Sequence, residues 1–144
     1  RLVKSPKLYF LDTGLMAWLL GIRDAQVLET HPARGALFET WVVTELLKRR
    51  YNDGQTSDLF FWRDHIGHEV DVLIDAPEGL RPVEIKSGST VAGDWFDGLH
   101  RWATLAEQQH ERMAAPQLVF GGAGRYERAG VAVSGWREFG GLAS

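Results

Sequence analysis

Apolar positions along the chain change period several times, and each change predicts an element. Lys7-Leu8-Tyr9-Phe10-Leu11 is a short β-prone run stopped by Asp12-Thr13-Gly14. Asp12 or Thr13 then caps a helix carrying Leu15, Met16, Trp18, Leu19 and Leu20, which Gly21 ends. A loop through His31-Pro32 leads to the strongest helical pattern, Ala36 to Tyr51, closed by Asn52-Asp53-Gly54. Three strands follow: Leu59 to Arg63, His68 to Ile74 and Arg81 to Lys86. The turns between them are Asp64-His65-Ile66-Gly67 and Ala76-Pro77-Glu78-Gly79. An amphipathic helix from about Trp95 to Arg112 carries Leu99, Trp102 and Ala106 at helical spacing. Leu118-Val119-Phe120 and Val131-Ala132-Val133 complete the pattern as short buried strands, with a Gly-rich turn from Gly121 to Gly124 between them. This order predicts an α/β fold: a mixed β-sheet flanked by helices.

Four charged residues break the pattern: Asp71, Glu84, Lys86 and Glu39. In the second strand of the triplet, Val70, Val72 and Ile74 are expected to face the core, leaving Glu69, Asp71 and Asp75 on the other face. In the third, Glu84 and Lys86 share a face opposite Val83 and Ile85. If Ala76 to Gly79 is the loop, Asp75 pairs with Leu80, and counting back sets Asp71 opposite Glu84 and Glu69 opposite Lys86. A bulge would shift that register. Two carboxylates facing each other across a strand pair repel. A hard divalent cation such as Mg²⁺ or Mn²⁺ would remove that cost, with Lys86 as a point charge beside it.

The fourth residue is Glu39. At about 100° per residue, Phe38, Val42, Val43, Leu46 and Leu47 form one apolar arc, and Glu39 falls in its middle. A carboxylate there is costly unless paired, protonated or bound to a cation. Taken alone, such a glutamate is usually a partner for an arginine or a main-chain group, and alternating charges on a strand usually mark a solvated face. Together, carboxylates converging on one lysine favour a site.

Length and composition limit what that site serves. The 144 residues fit one domain, and 44 % hydrophobic with 24 % charged residues is a globular balance. The absence of cysteine excludes a disulfide scaffold, a thiolate nucleophile and cysteine-ligated zinc. No apolar run approaches the ~20 residues of a membrane span, and there is no signal-peptide plan, so a cytoplasmic location with no membrane partner is expected. The net charge of -3 removes the basic excess typical of proteins that grip long nucleic acid, so any such contact is local or helped by a partner. The cluster Lys48, Arg49 and Arg50 reads as a solvated helix C-terminus. The chain opens at Arg1-Leu2-Val3-Lys4-Ser5-Pro6 without methionine, as a piece of something longer would.

Gly67-His68-Glu69-Val70-Asp71 followed by Val83-Glu84-Ile85-Lys86-Ser87-Gly88 resembles the PD-(D/E)XK nuclease signature, with Val70 in place of its proline. The blocks Pro6 to Leu15, Leu37 to Val42 and Phe61 to Asp64 are similar to those of one family. It is the domain of unknown function, family 4143, that follows an AAA-type ATPase domain in prokaryotes. The resemblance runs from Pro6 to about Val133. It implies a restriction-endonuclease-like (αβββαβ) core and a single domain, residues 1–144, forming the C-terminal part of a longer ATPase. It further implies Asp71, Glu84 and Lys86 as catalytic residues, and Glu39, Asp71, Glu84 and the Ile85 carbonyl as ligands of Mg²⁺ or Mn²⁺. The expected function is then metal-dependent hydrolysis of DNA phosphodiesters, with DNA and the N-terminal ATPase domain as partners. Two alternatives stand beside it: a non-catalytic module binding nucleic acid or protein, and a regulatory domain supporting assembly of the ATPase.

Other signals carry less. His65 and His68 flank a turn without a third ligand at fixed spacing, and Gln108 and Gln109 read as surface residues. Gly121-Gly122-Ala123-Gly124 lacks the context of a phosphate loop, so any ATP would bind in a preceding domain. Trp18, Trp41 and Trp102 lie in apolar helix patterns and are expected in the core, while Trp62, Trp95 and Trp136 stay open.

Overall fold

A computed structural model describes residues 7–141. The expectations placed on Arg1 to Pro6 fall outside the described residues. The order of elements is α1 (Thr13–Leu19), α2 (Ala25–Thr30), α3 (Arg34–Asn52), β1 (Leu59–Arg63), β2 (Glu69–Ala76), β3 (Gly79–Lys86), α4 (Asp97–Gln108, led in by a 3₁₀ turn over Gly93–Phe96), β4 (Gln117–Phe120), β5 (Arg125–Arg128) and β6 (Val131–Gly135). A second 3₁₀ turn spans Glu138–Gly141. None of the described helices is long and apolar enough to cross a membrane.

The strands form one mixed sheet in the order β1-β2-β3-β4-β6-β5. The β1–β2, β2–β3 and β5–β6 pairs are antiparallel, and β3–β4 and β4–β6 are parallel. Both faces are covered. On one, Val42, Val43 and Leu46 of α3 pack on Val72, Ile74, Val83, Ile85 and Val119, with Phe139 closing the edge of the cluster. On the other, Phe96 and Leu99 pack on Val70, Leu73, Leu118, Phe120, Val131 and Val133. The alternation of Leu118, Val119 and Phe120 between the two clusters is what a strand buried on both faces requires.

Several elements depart from the pattern. Lys7 to Phe10 is not a strand: the segment runs irregularly into the Asp12 cap of α1, whose carboxylate accepts the Leu15 N–H. Helix α2 lies in what reads as loop, capped by Asp24 on the Val27 N–H and lacking a buried residue to mark it. Strand β5 is exposed at all four positions and leaves no hydrophobic pattern; pairing with β6 alone defines it. Helix α4 stops at Gln108, because His110 takes a left-handed φ of 56° and turns the chain. Trp18 is 61 % exposed rather than core, with the Arg23 guanidinium stacked on its ring. Helix α1 is too short to bury any residue, so its apolar pattern does not report a core face.

The largest departure lies in β2. Val70 packs on the α4 side, whereas Val72 and Ile74 pack on the α3 side, so the three do not share a face. The cause is a register shift. On β1, Phe60 pairs with Leu73 and Trp62 with Val70, so one residue of β1, Phe61, spans two of β2, Asp71 and Val72. This bulge re-aims the strand at Asp71.

Candidate functional site

The β2–β3 hairpin has the register expected from the loop: Ala76 pairs with Gly79, Asp75 with Leu80, and the ladder continues to Val72 and Val83. The ladder ends at that pair. Asp71 does not simply face Glu84 across the ladder; its Oδ2 accepts the main-chain N–H of Ile85 at 2.8 Å. A side-chain acceptor thus takes a β3 donor at the point where the strands part. Asp71 and Glu84 are both buried in this fork.

Glu84 Oε1 accepts from Lys86 Nζ at 2.6 Å, and its Oε2 is buried without a hydrogen-bond partner. Gly98, in the first turn of α4, stands against this carboxylate. A Cβ there would lie 3.5 Å from Glu84 Oε2 and would collide with the Glu69 carbonyl oxygen. Glycine is what lets α4 descend onto β2 at the fork. Lys86 keeps 36 % of its side chain exposed, so the fork opens to solvent at the lysine.

The charges perturb one another. Burial first, then the neighbouring Asp71 charge, pushes the Glu84 carboxyl up to about 7, although Lys86 pulls the other way. Burial also raises Asp71, against the opposing hydrogen bond from Ile85, with Glu39 adding to the rise and Lys86 and Lys7 opposing it. For Lys86, burial works against the charge, but the hydrogen bond to Glu84 and the surrounding carboxylates outweigh it and hold its pKa above the usual lysine value.

Glu39 reaches the same region from α3, and it is paired. Lys7 Nζ lies 3.0 Å from Glu39 Oε1, and the Tyr9 hydroxyl donates to the same oxygen at 2.7 Å. Lys7 Nζ also lies 3.7 Å from Asp71 Oδ1 and 5.4 Å from the centre of the Phe61 ring. The ammonium therefore bridges the helix carboxylate and the strand carboxylate. Lys7 and Tyr9 belong to the site, although their β-prone run predicts a strand. Their signal is the alternation itself: Lys7 and Tyr9 turn inward while Leu8 is 92 % exposed, the reverse of a hydrophobic pattern.

The site divides into two halves when tested as a home for a divalent cation. Among the described residues no three His, Cys, Asp or Glu side chains are gathered to hold a metal ion as they stand. Asp71 and Glu84 nonetheless offer the donor chemistry a hard cation needs: two buried carboxylates, one with a free oxygen, beside the Ile85 main chain. Glu39 is engaged elsewhere by Lys7 and Tyr9.

The turn histidines and the paired glutamines lie at the surface. His68 Nδ1 is 2.8 Å from Asp64 Oδ2 in the exposed turn, and His65, Gln108 and Gln109 are exposed. Gly121 is part of a close approach rather than a phosphate loop: its N–H bonds the carbonyls of Lys86 and Gly88, and a Cβ would strike the Ser87 carbonyl. Trp41 and Trp102 pack against the two core clusters as expected; Trp62 and Trp95 join the α4-side cluster, and Trp136 is half exposed against Trp41.

An uncharacterized protein of Mycobacterium tuberculosis, Rv2008c, is 36 % identical over 87 residues, covering 60 % of this chain and 19 % of that protein. The uncharacterized protein Mb2031c of Mycobacterium bovis matches with the same identity and coverage. The matched stretch is thus about a fifth of the length of these curated relatives. No solved structure matches. The family described as "Domain of unknown function (DUF4143)" matches residues 34–138, from the start of α3 to the start of the second 3₁₀ turn. That stretch includes Glu39, Asp71, Glu84 and Lys86, and the chain belongs to this family.

Proposed function

We propose that this domain is nuclease-like, with a restriction-endonuclease-like core of the PD-(D/E)XK type, and hydrolyses DNA phosphodiesters at the β2–β3 fork. The observation that carries the reading is the buried pair Asp71 and Glu84, with Glu84 Oε2 unpartnered and Lys86 at the open end. Buried carboxylates left this close are costly for stability and serve best as ligands or proton carriers. Asp71, Glu84 and the Ile85 carbonyl are the groups to hold Mg²⁺ or Mn²⁺, with Glu39 joining from α3. Such an ion supplies a water of lowered pKa and an electrophile for the phosphate. The Ile85 N–H fixes the Asp71 carboxylate in one orientation. Lys86, partly exposed, offers its ammonium to a phosphate oxygen or an attacking water. The length of the relatives accords with a domain that works as part of a larger protein, and an AAA-type ATPase domain is the partner the family resemblance implies.

A second reading has its own observation. Lys7 already compensates Glu39 and Asp71, and the net charge is -3, which suits a non-catalytic module contacting nucleic acid or protein in support of the attached ATPase. Cleavage of labelled single-stranded, duplex and branched DNA with Mn²⁺ or Mg²⁺ separates the two. Loss of cleavage in both Lys86→Ala and Asp71→Asn, with folding intact by circular dichroism, is the result expected of a nuclease. A parent protein inert both as this domain and within its full-length chain would leave the binding module.

A further inference from the structure

We infer that Lys7 is the resident cation of the Glu39–Asp71 pair, and that Lys7 to Tyr9 form a strap which a divalent cation entering between those carboxylates must expel. The inference rests on the cation-site reading above and concerns how that site is regulated. Among the described residues no main-chain hydrogen bond involves Lys7 to Leu11. Among the described residues the strap is held by side chains: Lys7 Nζ on Glu39 and Asp71, the Tyr9 hydroxyl on Glu39, the Tyr9 ring against the α3-side core, and Lys7 over Phe61. Leu8 and Leu11 are exposed.

The polar part of that anchorage is the carboxylate pair itself. An ammonium 3.0 Å from one carboxylate and 3.7 Å from the other fills the space a bridging cation needs. A second positive charge beside it would be repelled in a half-buried setting where water screens weakly. Glu39 Oε1 already accepts from both Lys7 and Tyr9, so an ion arriving at that oxygen has to displace the ammonium. Occupancy by the lysine and by a divalent ion are therefore mutually exclusive. By linkage, the strap weakens ion binding by the same factor by which the ion loosens the strap.

Two measurements test this on the folded protein. Calorimetric titration with Mn²⁺ compares the parent with Lys7→Met, which keeps the aliphatic stem over Phe61 and removes the charge. Affinity at least about ten-fold higher in the variant is expected. The chain has no cysteine, so Leu8→Cys takes a single nitroxide at an exposed position. Its spectrum is expected to sharpen when diamagnetic Mg²⁺ is added at a concentration that displaces bound Mn²⁺. Equal or weaker Mn²⁺ affinity in Lys7→Met, or an unchanged nitroxide spectrum at saturation, overturns the strap and leaves the cation site standing. Binding of Mn²⁺ by neither protein overturns both. If Lys7→Met fails to fold, the nitroxide measurement decides by itself.

Discussion

Ile85 and Asp71 are joined by a hydrogen bond that no regular hairpin contains: the β3 amide gives its proton to a carboxylate on β2 at 2.8 Å. The bulge opposite Phe61 makes the bond possible, and the bond in turn holds the fork between β2 and β3 in shape. Asp71→Ala is expected to strand a buried N–H and to cost about 1–3 kcal/mol. Asp71→Asn keeps an acceptor there while removing charge, so its cost is expected to stay within about 1 kcal/mol. Urea denaturation of both variants at pH 7 measures the difference.

Glu84 makes stability fall with rising pH. Its carboxyl titrates at about 7 in the folded protein against 4.5 as a free side chain, so the folded state holds the proton more tightly. Its contribution is fully present below about 4.5, is lost as pH rises through 7, and changes no further above that. Glu84→Gln is expected to flatten this dependence, gaining on the parent by on the order of 1–3 kcal/mol between pH 4.5 and 7.5. A series of denaturant midpoints across that range provides the comparison. Parallel curves for the two proteins would count against the Glu84 assignment.

Lys86 opposes that rise, so Lys86→Met is expected to move the Glu84 carboxyl still further above the ordinary glutamate range. Carbon-13 detected titration of the Glu84 side chain reads the direction directly. A fall on removing Lys86 would mean that the two groups do not meet as the 2.6 Å contact indicates.

Gly98 brings α4 down onto the Glu69 carbonyl. Gly98→Ala improves helix propensity by up to about 1 kcal/mol, yet the collision at the fork is expected to outweigh it, for a net loss of about 1–3 kcal/mol. Thermal unfolding of the variant distinguishes the two signs.

Trp18 and Phe139 give a contrast at the surface and in the core. Trp18→Ser is expected to change stability by less than about 0.5 kcal/mol, because the ring is largely exposed. Phe139→Ala is expected to cost about 3–5 kcal/mol, because that ring is fully buried in the α3-side cluster and stacked by Arg49. Chemical denaturation of the pair tests where the core ends.

Much of this layout was legible in the residues because the signals were redundant. Helix α3 and the β2–β3 hairpin announce themselves by period, by turn chemistry at Pro77 and Glu78, and by the conflict between Glu39 and its apolar arc. The register to Val72↔Val83 followed from the loop alone. What stayed hidden lacked a local signature. The bulge at Asp71 arises from pairing with β1, and no residue in β2 marks it. Strand β5 has no buried side, α2 has no buried residue, and Lys7 meets Glu39 across 32 positions of sequence. The apolar run Lys7 to Leu11 misled because it stays irregular, and Trp18 because a short helix leaves it outside the core.

The exposed strand β5 has a consequence for behaviour in crowded solution. It is the outermost strand beyond β6, and an unpaired strand edge invites a strand from a neighbouring molecule. Arg125, Glu127 and Arg128 lie along it, so two neighbouring copies of this edge would bring like guanidinium groups together before any ladder closed. A mixed sheet with a parallel centre closes its ladders late in folding and stays open to such neighbours for longer. Charge on this rim thus acts as a kinetic guard, keeping separate chains from completing one another's sheets.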